Sequence, residues 1–262
     1  MDQNSLWSMV KANDVTTVQI ILQRDSQDIN LRGGPISPIA GRQINPTTPL
    51  QVAALAGHLE MASLLLRYGA NVNVHSVYRN YTLLNHCVSH AFKHNRLESV
   101  PMIALLLQNR ASTERKNTLG STPLNTAAEL CNFTEVTEIL LQGGADVNTK
   151  NNLGFTPIMY CALKGDEAQF DMLMECGADI YMKNQDGHTA EDLARDHSYS
   201  ESHRNIEAKL QIVKELGVVL QKCKMFEEMG LDHRSLVYGL PDTSVEKIVD
   251  EVYAEFLAAH PK

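Results

Sequence analysis

The chain has 262 residues, 44% apolar and 21% charged, which suits one elongated soluble domain with an appendage and a sizeable core. Aromatics are only 6%, with a single Trp7, so Leu, Ile, Val, Ala and Met must build that core. A net charge of −8, with no basic run longer than Lys222-Cys223-Lys224, leaves no surplus cation for phosphates. This excludes nucleic acid as a partner and favours basic or apolar protein surfaces.

In chain order, residues 4–30 hold two short apolar stripes, Leu6-Trp7-Met9-Val10 and Val18-Ile20-Ile21-Leu22, expected to be a terminal helical pair. Residues 31–47, with Gly33-Gly34-Pro35, Pro38, Gly41 and Pro46, read as an extended loop. Leu31-Arg32-Gly33-Gly34 superficially resembles the ubiquitin tail but falls inside that loop. Then a phrase begins at Thr48-Pro49-Leu50, passes Ala53-Ala54 and Leu64-Leu65-Leu66, and closes on Gly69-Ala70-Asn71-Val72-Asn73. It returns from Thr122-Pro123-Leu124 to Gly144-Ala145-Asp146-Val147-Asn148, and from Thr156-Pro157-Ile158 to Gly177-Ala178-Asp179. A weaker copy runs from Thr82-Leu83-Leu84 to Arg110-Ala111-Ser112, and a partial copy starts at Thr189-Ala190. The threonines at 48, 82, 122, 156 and 189 are spaced by 34, 40, 34 and 33 residues.

Each part of the phrase has a physical reason. Threonine caps a helix N-terminus, and proline in the first turn loses no hydrogen bond because that N–H has no intrahelical acceptor. Paired alanines let helices approach closely, the leucine run is the buried stripe of a second helix, and Gly-Ala supplies the left-handed stop. One such unit cannot bury its apolar face alone, so neighbours must stack. The extra residues of the third unit, around His94 to Pro101, are expected to lengthen its first helix or the link to its second.

The phrase closely resembles the ankyrin repeat, with its period of about 33 residues and T-P-L-H-x-A opening. The resemblance covers residues 4 to 197, about three quarters of the chain. It implies an all-α solenoid of helix-turn-helix units with hairpin tips: a cap at 4–30, the loop at 31–47, units from 48, 82, 122 and 156, and a partial unit from 189. The extension at 198–262 reads as helical. Ile206, Leu210, Val213, Leu216, Leu220 and Phe226 share one spacing, Gly217 is a candidate break, and Thr243 with Glu246 opens a final amphipathic helix through Leu257. The extension shows neither a SOCS nor an F-box motif.

Little in the chain looks catalytic. Cys87, Cys131, Cys161, Cys176 and Cys223 are scattered and never form C-x-x-C, as in a reducing compartment and unlike a disulfide framework or a cysteine zinc site. His86, His90 and His94 lie at i, i+4 and i+8, but the outer two are separated by about 12 Å on a helix, too far to share one ion. In register, His86 falls at a core leucine position. Nucleotide-loop, nucleophile-elbow, H-E-x-x-H and kinase signatures do not occur. No cofactor, metal or small-molecule substrate is therefore expected. Neither a signal pattern nor an apolar run of membrane length occurs, and the expected location is cytoplasmic.

The resemblance implies a protein partner bound by a concave face made of the turn tips and the outer side of each first helix. By register, the tip residues are Tyr78, Arg79, Tyr81, Leu119, Leu153, Phe155 and His188, with Thr47 and Ser121 at equivalent positions. The groove side takes His90, Glu129 and Lys164. Aromatic, arginine and aliphatic residues at tips that usually favour small polar ones point to an interface. A non-catalytic adaptor or scaffold follows, and ankyrin arrays also occur in effectors that intracellular bacteria or viruses place in a host cell. The alternative is an enzyme with its site at the repeat–extension junction, which buried ionisable pairs there would support.

Overall fold

The computed structural model describes residues 3–24, 27–30, 38–39, 42–43, 48–74, 82–93, 99–130, 134–196 and 200–228. Thr47, Tyr78, Arg79, Tyr81, His94, the Leu31–Gly34 stretch and the expected last helix lie outside them.

Helices come in antiparallel pairs stacked side by side. The first pair is α1 (Gln3–Lys11) and α2 (Val15–Arg24), the second α3 (Pro49–Leu55) and α4 (Leu59–Arg67), the third α5 (Leu83–Lys93) and α6 (Ser99–Gln108). Two more follow, α7 (Pro123–Leu130) with α8 (Thr134–Gln142) and α9 (Pro157–Lys164) with α10 (Glu167–Glu175). The partial unit contributes α11 (Ala190–Asp196), and α12 (Glu201–Glu228) stands where its second helix would be, against α9, α10 and α11. Within the expected loop, Pro38–Ile39 pairs antiparallel with Arg42–Gln43.

One core runs through the stack, from Leu6, Trp7 and Val10 through Leu50, Leu65, Ile103, Leu124, Leu140 and Ile158 to Leu193, Ile206 and Leu210. The first helices bury most of their length because each lies between two neighbours; in α7, Pro123 through Ala128 are all buried. The third unit's longer first helix absorbs part of its extra residues: α5 has 11 residues where α3 has seven and α7 and α9 have eight. Pro101 fits the first turn of α6, where no amide is needed. Arg110 takes the left-handed stop, at φ 64°, that Gly69, Gly144 and Gly177 supply in the other copies.

The residue three after each opening threonine closes the helix start. Thr48 N–H donates to Gln51 Oε1 (2.9 Å), Thr122 N–H to Asn125 Oδ1 (3.1 Å), and Thr189 N–H to Asp192 Oδ2 (2.8 Å). Asn125 also ties two units together, since its Nδ2 donates to Thr149 O (3.1 Å) in the following turn. Asn125 has no solvent exposure, so Asn125→Ala strands a buried donor, Thr122 N–H, and a part-buried acceptor, Thr149 O. We expect a loss of about 3 kcal/mol in urea unfolding; a loss under about 1 kcal/mol would mean that water or a shift replaces both bonds.

Two expectations differ in detail. His86 is half-buried instead of filling a core position, because Cys87 and Val88 take the buried places on that turn. Helix α12 runs unbroken through Gly217. A single helical glycine costs only about 1 kcal/mol against alanine, too little to end a helix without a cap.

Candidate partner-binding surface

In the three connections from α6 to α7, α8 to α9 and α10 to α11, the chain goes out to a tip and back. Asn117, Asn151 and Asn184 make the tips. Their amides donate to Ser121 O, Phe155 O and His188 O, each at 3.0 Å. Their side-chain oxygens accept from within the same turn: Asn117 Oδ1 from Leu119 N and Ser121 N, Asn151 Oδ1 from Leu153 N and Phe155 N, and Asn184 Oδ1 from His188 N, at 2.8 to 3.0 Å. Successive tips then pair through backbone. Asn152 N–H donates to Leu119 O (2.9 Å) and Gln185 N–H to Leu153 O (3.0 Å).

This double bracing fixes two apolar side chains in water. Leu119 is 53% exposed and Leu153 59%, and both occupy the same position on consecutive tips. Asp186 holds that position on the last described tip, and it and His188 are exposed. Phe155 is half-buried and lies against Tyr160, with ring centroids 5.1 Å apart. It supports the tip from below more than it presents a free face. Ser121 is buried.

Of the residues expected on the groove side, His90 lies in α5, Glu129 near the end of α7 and Lys164 at the end of α9. Tyr160 joins them: Asn151 Nδ2 donates to its hydroxyl (2.8 Å), and burial, with the Glu129 charge adding to it, pushes that hydroxyl up to about 12. Desolvation also raises the Glu129 carboxyl, with the Lys164 charge pulling the other way. A raised folded-state pKa in an acid opposes folding wherever the unfolded chain is ionised, and the cost fades as pH falls below the unfolded value. Glu129→Gln is therefore expected to raise the melting temperature at pH 7, on the order of 1 °C because half the group stays in water, and to change nothing near pH 3. Calorimetry at both pH values checks this; an unchanged or lower midpoint at pH 7 would reverse the sign.

Sequence reading passed over a series of lysines. Lys116 Nζ donates to Lys150 O (2.8 Å), Lys150 Nζ donates to Lys183 O (2.9 Å), and Lys183 continues the series. They are 34 and 33 residues apart, so a search for basic runs misses them, whereas alignment on the repeat period would have found them.

The repeat–extension junction is built from charge as well as apolar surface. Ile206 and Leu210 of α12 are fully buried. Lys209 Nζ reaches Glu167 (2.9 Å) and Asp171 (2.7 Å), and Asn205 Nδ2 donates to Glu167. Buried Glu191 pairs with Arg195 (2.6 Å) and with Lys214. Ser200 caps α12 by accepting from His203 N (3.3 Å), and the buried His203 ring contacts Ser200 Oγ through Nδ1 and Leu163 O through Nε2. At Cys87, full burial pushes the thiol up to about 12, which leaves no thiolate to act as a nucleophile.

A family model described as ankyrin repeats (3 copies) matches residues 6–104 and 90–184. The chain belongs to the ankyrin repeat family. A Danio rerio protein named "Putative palmitoyltransferase ZDHHC13" is similar, at 31% identity over 165 residues, which make up 63% of this chain and 24% of that protein. The chain thus spans about a quarter of that relative's length. The ankyrin array accounts for the all-α solenoid and for its braced tips, and ankyrin repeats suggest protein–protein interaction. Among the described residues, no helix is long and apolar enough to cross a membrane.

Proposed function

We propose that this ankyrin chain is a non-catalytic, cytoplasmic adaptor or scaffold that holds a protein partner against its tips and groove. The observation that carries the reading is the pair Leu119 and Leu153, two leucines more than half in water on tips that are hydrogen-bonded to each other. Rigid exposed apolar groups cost little ordering entropy on binding, and adjacent ones add into one patch. Leu119 and Leu153 are the expected anchors, with Glu129, Lys164 and His188 as flanking contacts and Tyr78, Arg79, Tyr81 and His90 as further candidates by repeat register. Phe155 holds the tip in shape. The extension, residues 198–262, begins by completing the last unit through α12.

The relative's name attaches palmitoyl transfer to a protein of which the matched stretch is only 24%, and the match lies in the repeat region. An enzyme site at the junction would need ionisable groups there, and Glu191, Arg195, Lys209, Lys214 and His203 are present. Each is bonded to other groups of this chain across the α12 contact, and Ser200 is spent on capping α12. We read them as docking contacts.

Affinity capture from a lysate tests the assignment by comparing wild type with Leu119→Ser/Leu153→Ser. The double variant should lose the captured proteins while keeping the wild-type melting temperature, since both side chains are exposed. An unchanged set of captured proteins would sink the tip assignment.

A further inference from the structure

The chain is acidic as a whole, yet one face of its tips carries a repeating file of cations. The chain carries −8, yet the arm leading to each of three successive tips bears a lysine at one repeat position, Lys116, Lys150 and Lys183, with Arg115 beside the first. Lys116, Lys183 and Arg115 are exposed and Lys150 is partly so. The first two lysines are not loose. Each ammonium rests on the next arm's carbonyl, at 2.8 and 2.9 Å, which uses one of its three donors and leaves two for another acceptor. Three residues beyond Lys116 and Lys150 along the chain stand Leu119 and Leu153, at 53% and 59% exposure. Three of the four acidic residues of the same loops lie at the far end of the arm, where they serve the stack: Glu114 Oε1 accepts from Asp146 N (3.0 Å), Asp146 Oδ1 from Asn148 N (2.9 Å), and Asp179 Oδ1 from Tyr181 N (2.8 Å). The fourth, Asp186, is exposed on the last tip, so the cationic stretch is centred on the first two tips. Fixed cations thus run beside fixed apolar anchors.

We propose that this ridge receives an acidic segment of a partner protein, its carboxylates on the lysine series and two apolar side chains beside Leu119 and Leu153. The inference rests on the tips being the partner surface and adds the chemistry of what binds there. It reverses the preference for basic partners that net charge alone suggests, because association is governed by the local field more than by the total. Nucleic acid shares the negative charge but offers no aliphatic groups to match two exposed leucines.

The test selects phage-displayed random peptides on the immobilised full-length chain and measures recovered peptides by fluorescence anisotropy. Binding is compared for wild type, Lys116→Gln/Lys150→Gln/Lys183→Gln and Leu119→Ser/Leu153→Ser, with single-stranded DNA as competitor. The expected peptides are net acidic with at least two apolar residues, bind either variant about tenfold more weakly than wild type, and weaken as salt rises. If the triple variant melts lower than wild type, Lys183→Gln alone takes its place, since the bracing bonds of the series are made by Lys116 and Lys150. Neutral or basic peptides, or acidic ones indifferent to the lysines, overturn the acidic-partner inference, while sensitivity to the leucine pair would keep the tip reading. Peptides indifferent to both variants, or no peptide at all, overturn both. DNA that displaces the peptides at equal or lower concentration marks a nucleic-acid site and overturns the inference.

Discussion

Gly154→Ala is expected to destabilise the chain by about 3 kcal/mol, and Gly187→Ala, at the same position one tip later, by only about 1 kcal/mol. Both glycines have positive φ, 78° and 84°, where a side chain costs about 1–2 kcal/mol. The difference lies in what comes next. A Cβ on Gly154 would stand 2.9 Å from Gln185 N and 3.0 Å from Asn184 Cα, backbone atoms of the following tip, which cannot turn aside. Relief would require the Gln185–Leu153 bond to lengthen, adding about 1–3 kcal/mol. A Cβ on Gly187 would meet nothing within 4 Å. Urea unfolding followed by circular dichroism separates the two, and equal losses would show that conformation alone, not tip stacking, requires the glycine.

Leu210→Asp should detach α12 and fray the C-terminal end of the stack without unfolding the middle. Leu210 is fully buried where α12 meets the last units, and a lone carboxylate there either stays charged without a partner or is protonated, at a cost of several kcal/mol in either case. Contacts in a repeat array are between neighbours, so the damage stays local. Once α12 leaves, Glu191 loses Lys214 and Glu167 loses Lys209. Limited proteolysis should then cut near residues 197–215 at a rate at least about tenfold above wild type, while a core spanning α3 to α9 persists. Uniform resistance would mean that α12 is held by contacts other than its buried stripe. The Glu167 carboxyl is held below its ordinary value by hydrogen bonds from Lys209 and Asn205. A lowered acid stabilises above its unfolded pKa and stops doing so as pH falls through the folded one, so this carboxyl's part of the latch is lost in acid.

Much of this architecture was legible because one phrase does the same physical work several times over. Thr48, Thr122 and Thr156 each precede a proline in the first turn, and the distance between threonines sets the stacking period. What the phrase does not contain is less legible. Glu191, in the first turn of a short helix, is buried against α12 and pairs with Lys214 from it as well as with Arg195 of its own helix, and the partner from α12 is not visible in the repeat phrase. The lysine series was hidden for a similar reason: charges 34 and 33 residues apart become neighbours only when units stack. Phe155 and Leu153 look alike as apolar tip residues, yet one lies against Tyr160 and the other points into water. Asn151 braces the amides of both, so the difference lies in what each side chain meets, which neither composition nor periodicity encodes.

The tip ridge as the partner surface is tested most directly by photo-crosslinking. A photoreactive side chain is placed in turn at Leu119, at Leu153 and at Glu138, which is exposed on the second helix α8. The prediction is one and the same protein crosslinked from positions 119 and 153 and none from 138. Crosslinking from 138 with none from the two tips would place the partner on the opposite side of the stack and contradict the account.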